Sequence, residues 1–497
     1  PAMYPTIEDL KTIAESGVYR RIPVAREIYS DCFTPIEVMR TLRAASRHCY
    51  LLESAEDNQK WGRYSFLGCS PSLELTCRNG VLRIRRGDED EIKEETISET
   101  LHPGEAIRRI LEEYKSPKLE NMPPFTGGLV GYFSYDYIKY AEPVLGKKDL
   151  ENDDFCDVDL MLFDRVIVFD HYKQKLILIA GVDAADPERS YAEVAEKLDE
   201  TERLLYSSAK AAFRPLKLKE ELTPAFTKEE YCRMVEKARH YIHEGDIFQV
   251  VLSDPLTAAA EGSLFDTYRV LRTTNPSPYM FYFSSDDVEI AGASPETLAK
   301  LQNQTLYNFP LAGTRPRGRD AQEDEALERE LLSDEKELAE HNMLVDLGRN
   351  DLGRVCRLGT VKVDKYCSIE RFSHVMHIGS TVSGTIRNDR DAVDAIDSIL
   401  PAGTLSGAPK LRACEIIGEL EGRKRGIYGG AIGYLDFTGN MDTCIAIRLA
   451  YKKNGRVCIQ SGAGIVADSV PEREFEECCN KAKAVVNALK AAEGGLL

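Results

Sequence analysis

Two pairs of glutamates are the first candidates for chemistry in this sequence. Glu337 and Glu340 lie in a predicted helix that ends at Gly348, and Glu474 and Glu477 lie in a second predicted helix near the C-terminal end. Residues three apart share one face of a helix. If the two helices met, the four carboxylates could not all stay ionised without a cation, and hard oxygen ligands suit Mg²⁺. The alternative is that both pairs face water.

Three glycine-rich segments offer backbone N–H groups to an anion. They are residues 309–318, residues 401–422 just before a helix predicted to start near Pro409, and residues 461–469. A helix N-terminus binds carboxylate or phosphate readily. Residues 401–422 lack the Gly-Lys-Ser/Thr ending of a triphosphate-binding loop, and the G-x-G-x-x-A match in residues 462–467 lacks the βαβ context of a dinucleotide site. Plain turns remain the alternative reading of each segment.

Two histidines, His374 and His377, are candidates for proton transfer. In a strand their odd spacing points them to opposite faces, so they do not form a metal clip. One of them could be catalytic, although a satisfied core histidine is the commoner outcome. The sequence contains no H-E-x-x-H motif, zinc-ligand spacing or nucleophile elbow, so it gives no support to metalloprotease, serine or cysteine hydrolysis.

The elements that must position these residues fall into two parts. Residues 1–207 are strand-rich, with a hairpin turning at residues 172–174 and helices predicted over 34–45, 103–113 and 187–207. Residues 208–226 contain two prolines and lack periodicity, which predicts a linker. Residues 227–497 open on a capping box of Thr227 and Glu230, and Ser469 and Glu472 predict a second one. The pattern indicates an α/β (α+β) chain with one large composite core.

Composition limits the partners and the compartment. The chain has 497 residues and a formal net charge of −18, which excludes nucleic acid and anionic membranes as partners. No stretch approaches 18 apolar residues, and the first residues lack the apolar core of a signal peptide, so neither a membrane span nor a secretion signal is expected. The cysteine count is 13, an odd number without a C-x-x-C pair, which favours a reduced, cytoplasmic protein.

Taken together, the motifs resemble those of a known family, the chorismate-utilising enzymes. The resemblance rests on the segments FPLAGTRPRG, DEKELAEHNMLVDLGRNDL, GTLSGAPK, RGIYGGAIGYL and SGAGIVADSVPEREFEE, in the family's order and spacing across residues 227–490. Earlier in the chain, LLES, RYSFLG and NPSPYMFY resemble the tryptophan-sensing segments of the anthranilate synthase component I branch. The resemblance therefore extends over nearly the whole chain.

The resemblance implies a fold and a metal. The family's fold is a large two-layered β-sandwich core flanked by helices, with the active site in a cleft between the sheet layers. It implies Mg²⁺ as cofactor, with Glu340 and Glu477 as direct ligands and Glu337 and Glu474 as supporting or water-mediated ones.

The resemblance also implies the substrate-binding and catalytic residues. Tyr428, Arg448, Thr404, Gly462 and Gly464 match the positions that hold the carboxylates and the pyruvyl arm of chorismate. Arginine and backbone N–H groups suit planar carboxylates.

Glu296, within ASPE, matches the candidate acid for loss of the C4 hydroxyl, and His377 matches the residue associated with pyruvate elimination. Thr404 also belongs with this catalytic group.

Two positions separate the branches of the family. Ala312 stands where members that make aminodeoxychorismate carry a lysine nucleophile, and Gln249, a substrate-site residue, stands where members that add water carry a lysine base. Alanine cannot attack the ring and a carboxamide cannot deprotonate water. Both departures predict ammonia as nucleophile and anthranilate plus pyruvate as products, which is the first step of tryptophan biosynthesis.

The resemblance further implies regulation and a partner. A separate glutamine amidotransferase subunit is expected to supply ammonia in a hetero-oligomer, because nothing in the chain resembles a glutaminase. Tryptophan is expected as a feedback inhibitor bound between the two parts of the chain. The predicted tryptophan-site residues are Glu53, Ser54, Pro276, Tyr279, Met280, Phe281 and Cys444.

Three other functions remain open at this point. An aminodeoxychorismate synthase is disfavoured by Ala312, and a catalytically silent tryptophan-binding subunit is disfavoured by Glu340, Glu477 and His377. A nicotinamide oxidoreductase is weakened by the missing βαβ context.

Overall fold

The computed structural model describes residues 2–55, 62–87, 93–100, 102–147, 155–286, 288–372 and 374–496. The strands, in chain order, are β1 Met3–Tyr4, β2 Arg21–Tyr29, β3 Cys49–Glu53, β4 Tyr64–Cys69, β5 Leu73–Arg78, β6 Val81–Arg86, β7 Lys93–Ile97, β8 Gly128–Phe133, β9 Val158–Phe163, β10 Arg165–Asp170, β11 Lys175–Asp183, β12 Lys217–Leu218, β13 Thr223–Pro224, β14 Gln249–Glu261, β15 Tyr279–Ser284, β16 Val288–Ser294, β17 Thr297–Gln302, β18 Thr305–Asn308, β19 Leu311–Pro316, β20 Lys362–Arg371, β21 Val375–Thr385, β22 Gly407–Ala408, β23 Ala431–Asp436, β24 Met441–Ile445, β25 Leu449–Lys453 and β26 Arg456–Ile465.

The α-helices are α1 Ile7–Ala14, α2 Pro35–Ala45, α3 Gly104–Glu113, α4 Ile138–Ala141, α5 Pro187–Leu205, α6 Lys228–His243, α7 Phe265–Thr274, α8 Ala321–Ser333, α9 Glu335–Gly353, α10 Ala392–Ile399, α11 Lys410–Glu421 and α12 Pro471–Ala492. Short 3₁₀ helices cover Tyr135–Tyr137, Pro143–Lys147 and Gly403–Leu405.

The strands form two large sheets with antiparallel neighbours. The first sheet has 14 strands in the order β1-β2-β11-β10-β4-β3-β15-β16-β25-β26-β14-β12, with β13 and β22 paired to β14. The second has 12 strands in the order β19-β21-β18-β17-β24-β23-β8-β9-β5-β6-β7, with β20 paired to β21. Within the described residues, strands of residues 1–207 and of residues 227–497 therefore lie in both sheets.

Alternation of side chains explains the layers. On β3, Tyr50 points into the core between the sheets, whereas Cys49 and Leu51 point to the opposite face, against helices. On β9, Met161 and Phe163 face the inter-sheet core. Strands buried on both faces read as continuous apolar runs. Helices α2, α5, α7 and α12 cover the first sheet, and α3, α9 and α10 cover the second, so the predicted helix-flanked sandwich is confirmed.

Several local predictions agree with the structure and two do not. The capping box of Thr227 and Glu230 is present, as is the hairpin of β10 and β11. Helix α9 does not end at Gly348 but continues to Gly353; a Cβ at Gly348 would lie 2.9 Å from the Asn308 side chain, so this glycine permits close packing.

The second predicted capping box is absent. Val470 is the N-cap of α12, and no side chain caps the helix there. The Ser469 hydroxyl instead accepts a hydrogen bond from Val466 N at 2.8 Å. This bond stabilises the turn before α12, so the hydroxyl does not cap the helix.

Two neighbouring links carry the chain from one sheet to the other. Residues 294–297 join β16 of the first sheet to β17 of the second, and residues 445–449 join β24 of the second sheet to β25 of the first. Thr297 lies opposite Cys444 in the register of β17 and β24, and Ile445 N donates to the Glu296 carbonyl at 2.9 Å. We call these two links the paired crossovers.

Within the described ranges, none of the helices combines the length and the apolar character needed to cross a membrane. The cysteines of these ranges are all free thiols.

Candidate active site

A cavity of about 390 Å³ lies where the two sheets meet helices α9 and α12. Strands β14 and β26 of the first sheet and β19 and β21 of the second contribute to its wall. It brings together every residue predicted for metal binding, substrate binding and catalysis. These are Gln249, Glu296, Glu337, Glu340, His377, Thr404, Tyr428, Arg448, Gly462, Gly464, Glu474 and Glu477.

The four glutamates converge on the cavity from two helices. Glu337 and Glu340 come from α9, and Glu474 and Glu477 from α12. Burial raises the pKa of Glu340, and the neighbouring Glu337 raises it further. Burial raises the pKa of Glu474 to about 7, and the Glu477 carboxylate adds to this shift. Each helix thus brings two carboxylates to the cavity, and the protein neutralises their negative charge only in part.

This donor set fits a magnesium ion. The Glu474 Oε2 atom is buried and has no hydrogen-bond partner among the described residues. Lys481 forms an ion pair with Glu477 at 3.1 Å. Carboxylate oxygens with room for water are the usual Mg²⁺ environment. Lys481 was missed in the sequence, although its i,i+4 spacing from Glu477 is a readable ion-pair pattern.

A different acidic cluster is already neutralised by the protein. The ligand atoms of His48, Glu74 and Asp286 lie within 4.8 Å of one another. Arg85 donates to Asp286 at 2.8 Å, so a guanidinium supplies the positive charge there. This cluster is therefore read as an ion-pair network, in contrast to the four glutamates of the cavity.

Glu296 is set up as an acid. It is 7% exposed, and burial raises its pKa to about 8. Thr404 Oγ1 donates to its carboxyl group at 3.4 Å, and Arg448 lies close enough to counter part of the shift. The side chain is therefore largely protonated at neutral pH, which is the state needed to give a proton to a leaving group.

His377 is set up as a proton acceptor. Burial lowers its pKa to about 4, so the imidazole is neutral. Its Nδ1 lies 2.7 Å from the Gly313 carbonyl, an acceptor, which places the ring hydrogen on Nδ1. Nε2 is buried without a hydrogen-bond partner among the described residues, so its lone pair is available. His374 is exposed and contacts the Thr274 carbonyl, outside the cavity.

Arg448 is an anion-binding candidate. Its guanidinium lines the cavity, and burial lowers its pKa. No hydrogen bond or ion pair to it occurs within the described residues. Its φ of +53° is in the left-handed region, a costly conformation for a residue other than glycine. The paired crossovers therefore hold this cation in place at an energetic cost.

Two glycines leave room beside the site. A Cβ at Gly462 would lie 2.8 Å from the Tyr428 hydroxyl, and one at Gly464 would lie 2.7 Å from Gln249 Nε2. At Gly462 the Leu252 carbonyl also lies 2.8 Å from that Cβ position, so the backbone itself requires glycine there, whereas a side chain at Gly464 would displace the Gln249 amide.

The two positions that separate the family's branches face the same cavity. Ala312 lines it from β19 and Gln249 from β14. Gln249 Nε2 donates to Glu340 at 3.3 Å, whereas Gln249 Oε1 is buried without a partner in the described part of the chain. An orphan acceptor of this kind can receive an N–H group of a small ligand.

Comparison with known proteins bears directly on this site. The family model described as chorismate binding enzyme matches residues 48–487. The chain is 47% identical to "Anthranilate synthase component 1" of Acetivibrio thermocellus, covering 98% of this chain and 99% of that protein. The chain belongs to the anthranilate synthase component 1 family of chorismate-binding enzymes. The predicted enzyme class is thereby confirmed.

Solved structures agree on the architecture. Anthranilate synthase component I from Streptococcus pneumoniae TIGR4 is 39% identical, with a TM-score of 0.74 over 85% of this chain and 92% of that one. MenF, the menaquinone-specific isochorismate synthase from Escherichia coli, has a TM-score of 0.68 over 97% of this chain and 98% of that one. At 20% identity it shows the shared fold alone.

A second cavity, of about 340 Å³, gathers most of the predicted tryptophan-site residues of this family member. Glu53, Ser54, Tyr279, Met280, Phe281 and Cys444 line it. Pro278 lines it as well, and Pro276 does not. The wall also contains aromatic rings from β4 and β23, including Phe66 and Tyr434, 6.4 Å apart.

Glu53 is already bound by the protein. Arg272 Nε and Nη2 donate to its two oxygens at 2.7 and 3.1 Å, and Tyr268 and Ser65 donate to it at 2.5 and 2.9 Å. Its side chain is fully buried. The carboxylate thus ties β3 to helix α7 and supports the wall of the second cavity.

Sequence reasoning missed two charged residues in this cavity. Asp442 and Lys300 line it and lie opposite each other in the register of β17 and β24. Tyr279 donates to Asp442 at 2.7 Å, and its oxygen lies 2.8 Å from Thr297 Oγ1. No sequence motif marks these positions, since only the strand pairing brings them together.

Proposed function

We propose that the protein converts chorismate and ammonia into anthranilate, pyruvate and water, with Mg²⁺ as cofactor. The observation that carries this proposal is the composition of one cavity. It joins four carboxylates, an unpaired arginine and a protonated acid, and it has Ala312 and Gln249 where a lysine would direct the reaction elsewhere. The near full-length likeness to anthranilate synthases supports the same conclusion.

Substrate binding follows from the charges. Glu340 and Glu477 would hold Mg²⁺, with Glu337 and Glu474 beside them, and the ion would neutralise a substrate carboxylate. Arg448 would bind a second carboxylate through forked N–H donors, because it has no competing partner in the described protein.

In the first step, ammonia forms the new bond at C2 of chorismate. The ring double bonds shift, the C4–oxygen bond breaks, and Glu296 gives its proton to the departing hydroxyl, which leaves as water. Gln249 Oε1 accepts an N–H of the incoming ammonia and orients its lone pair toward the ring.

In the second step, the aminated intermediate becomes aromatic. Nε2 of His377 takes the ring proton at C2, and the C2–H electrons form the new ring double bond as the C3–oxygen bond breaks. Pyruvate enolate leaves and takes a proton from water at its methylene carbon to give pyruvate. A neutral imidazole with a free lone pair suits this proton acceptance.

The ammonia source is proposed to be a separate glutamine amidotransferase subunit, since the "component 1" of the relatives' names implies another component. The free thiols of the described residues favour a reducing, cytoplasmic setting.

The second cavity is proposed to bind tryptophan as a feedback inhibitor. Its rings suit an indole, whereas Asp442 and Lys300 suit the ammonium and carboxylate of an amino acid. Feedback requires that this cavity and the catalytic one respond to each other.

The test uses the purified full chain with chorismate, Mg²⁺ and ammonium at pH about 8.5, where free ammonia becomes appreciable. We expect anthranilate fluorescence and equimolar pyruvate, both lost with EDTA and reduced by tryptophan. An aminated product without pyruvate would overturn the anthranilate assignment, and activity unaffected by EDTA would overturn the role of Mg²⁺.

A further inference from the structure

The paired crossovers lie between the two cavities and contribute to both. Glu296 lines the catalytic cavity, and the next residue, Thr297, lines the second cavity. The other crossover repeats the arrangement: Cys444, the residue just before it, lines the second cavity, and Arg448 within it lines the catalytic one. Two adjacent chain segments thus each connect one site to the other.

The crossovers are also bonded to each other. Ile445 N donates to the Glu296 carbonyl at 2.9 Å, and the register of β17 and β24 shifts just after Thr297. The hydroxyl of Ser294, a fully buried residue, accepts a hydrogen bond from Glu296 N at 3.4 Å. A displacement of one crossover therefore moves the other.

In the second cavity, a chain of hydrogen bonds runs from Asp442 through Tyr279 to Thr297, which lies in the first crossover. Tyr279 has a single hydroxyl hydrogen, which it donates to Asp442. Thr297 must then donate to the Tyr279 oxygen, 2.8 Å away. A ligand ammonium that binds Asp442 competes with Tyr279, and the change reaches Thr297 directly.

We infer that the paired crossovers couple the two cavities, with Thr297 as the residue through which occupancy of the second cavity repositions Glu296 and Arg448. Thr297 is a positioning residue and does not touch chorismate. The inference rests on the proposed function, since it takes tryptophan as the ligand of the second cavity.

The experiment measures the coupling itself. The affinity of the Mg²⁺-loaded full chain for tryptophan is measured by calorimetry with and without saturating chorismate, in the absence of ammonia. Binding linkage is reciprocal, so the ratio of the two dissociation constants reports the coupling, expected at about 5- to 150-fold in the unmodified protein. In Thr297→Val, which keeps shape and removes the hydroxyl, we expect the ratio to approach one.

Matched variants distinguish loss of the coupling through Thr297, which we call the relay, from general destabilisation of the protein. Thr297→Ser keeps the hydroxyl and should keep the ratio. Thr381→Val changes a half-buried strand threonine that lines neither cavity, and it should also keep the ratio. Ser294 lines neither cavity, and its hydroxyl contacts the Cys444 thiol as well as Glu296 N. Ser294→Ala therefore loosens both crossovers from outside the cavities and should lower the ratio even if Thr297→Val bound tryptophan poorly.

The outcomes are distinct. An unmodified protein that binds no tryptophan, or binds it without a change in the ratio, overturns the proposed feedback. A coupled unmodified protein whose ratio survives in both Thr297→Val and Ser294→Ala overturns the relay alone.

Discussion

The two cavities differ in how their polar groups are satisfied. In the catalytic cavity, Nε2 of His377 and Oε2 of Glu474 have no hydrogen-bond partner in the described protein, and no hydrogen bond or ion pair reaches the Arg448 guanidinium from these residues. In the second cavity, Glu53 is held by three side chains, and Tyr279 is bonded on both sides. Unpaired buried groups are costly until substrate arrives, whereas a satisfied network must be rearranged by its ligand. The first arrangement suits the proposed chemistry, and the second suits the proposed response to tryptophan.

The largest expected effect tests the acid in the catalytic cavity. Glu296→Gln keeps the shape of the side chain and removes its acidic proton, so we expect kcat to fall by about 10²- to 10⁴-fold. Anthranilate formation measures it, and the exposed Glu244→Gln serves as the control. Near-normal turnover in Glu296→Gln would mean that another group protonates the leaving hydroxyl.

The next effect tests the satisfied network of the second cavity. Arg272→Met leaves Glu53 buried and uncompensated, so we expect a loss of about 3–5 kcal/mol in the free energy of unfolding. Denaturant unfolding measures it. The double variant with Glu53→Gln should recover much of the loss; equal destabilisation of single and double variants would show that the ion pair is not the cause.

A smaller effect is expected at the supporting carboxylate. Glu474→Gln should raise the Mg²⁺ concentration needed for half-maximal activity by about 10- to 100-fold, because supporting groups tune metal affinity on this scale. A magnesium titration of activity measures it. Glu476→Gln changes an exposed glutamate of the same helix outside the cavity, and a matching shift there would count against a specific role.

The smallest effect is the pH dependence. Because the pKa of Glu296 is raised to about 8, its proton is present below that pH and lost above it. At saturating Mg²⁺, the rate per unit of free ammonia should be flat between about pH 7 and pH 8 and then fall about tenfold per pH unit. A rate that keeps rising with free ammonia to pH 10 would contradict this assignment.

The catalytic cavity could be predicted from the sequence more fully than the second one. Its residues lie in short contiguous motifs, such as the one that carries Gly462 and Gly464, and chemistry fixes their residue types. Asp442 and Lys300 lie 142 positions apart and meet only through strand register, which no local pattern encodes. The sandwich followed from the family resemblance, whereas the paired crossovers depend on strand order.

The loss of the Ser469 capping box has the same cause. A local motif was present, but the turn before α12 used the hydroxyl for its own hydrogen bond. Local signals hold where no tertiary partner competes for the same atoms.

Strand β3, which carries Glu53, lies between β4 and β15 in the middle of the first sheet. A regulatory module attached by a linker can be lost in evolution by a single deletion, but removal of this strand would split the sheet on which the catalytic half depends. Under the proposed tryptophan feedback, descendants of this protein that lose it must therefore do so by point substitution. Natural variation in sensitivity should then appear as scattered single changes around the second cavity within chains of unchanged length.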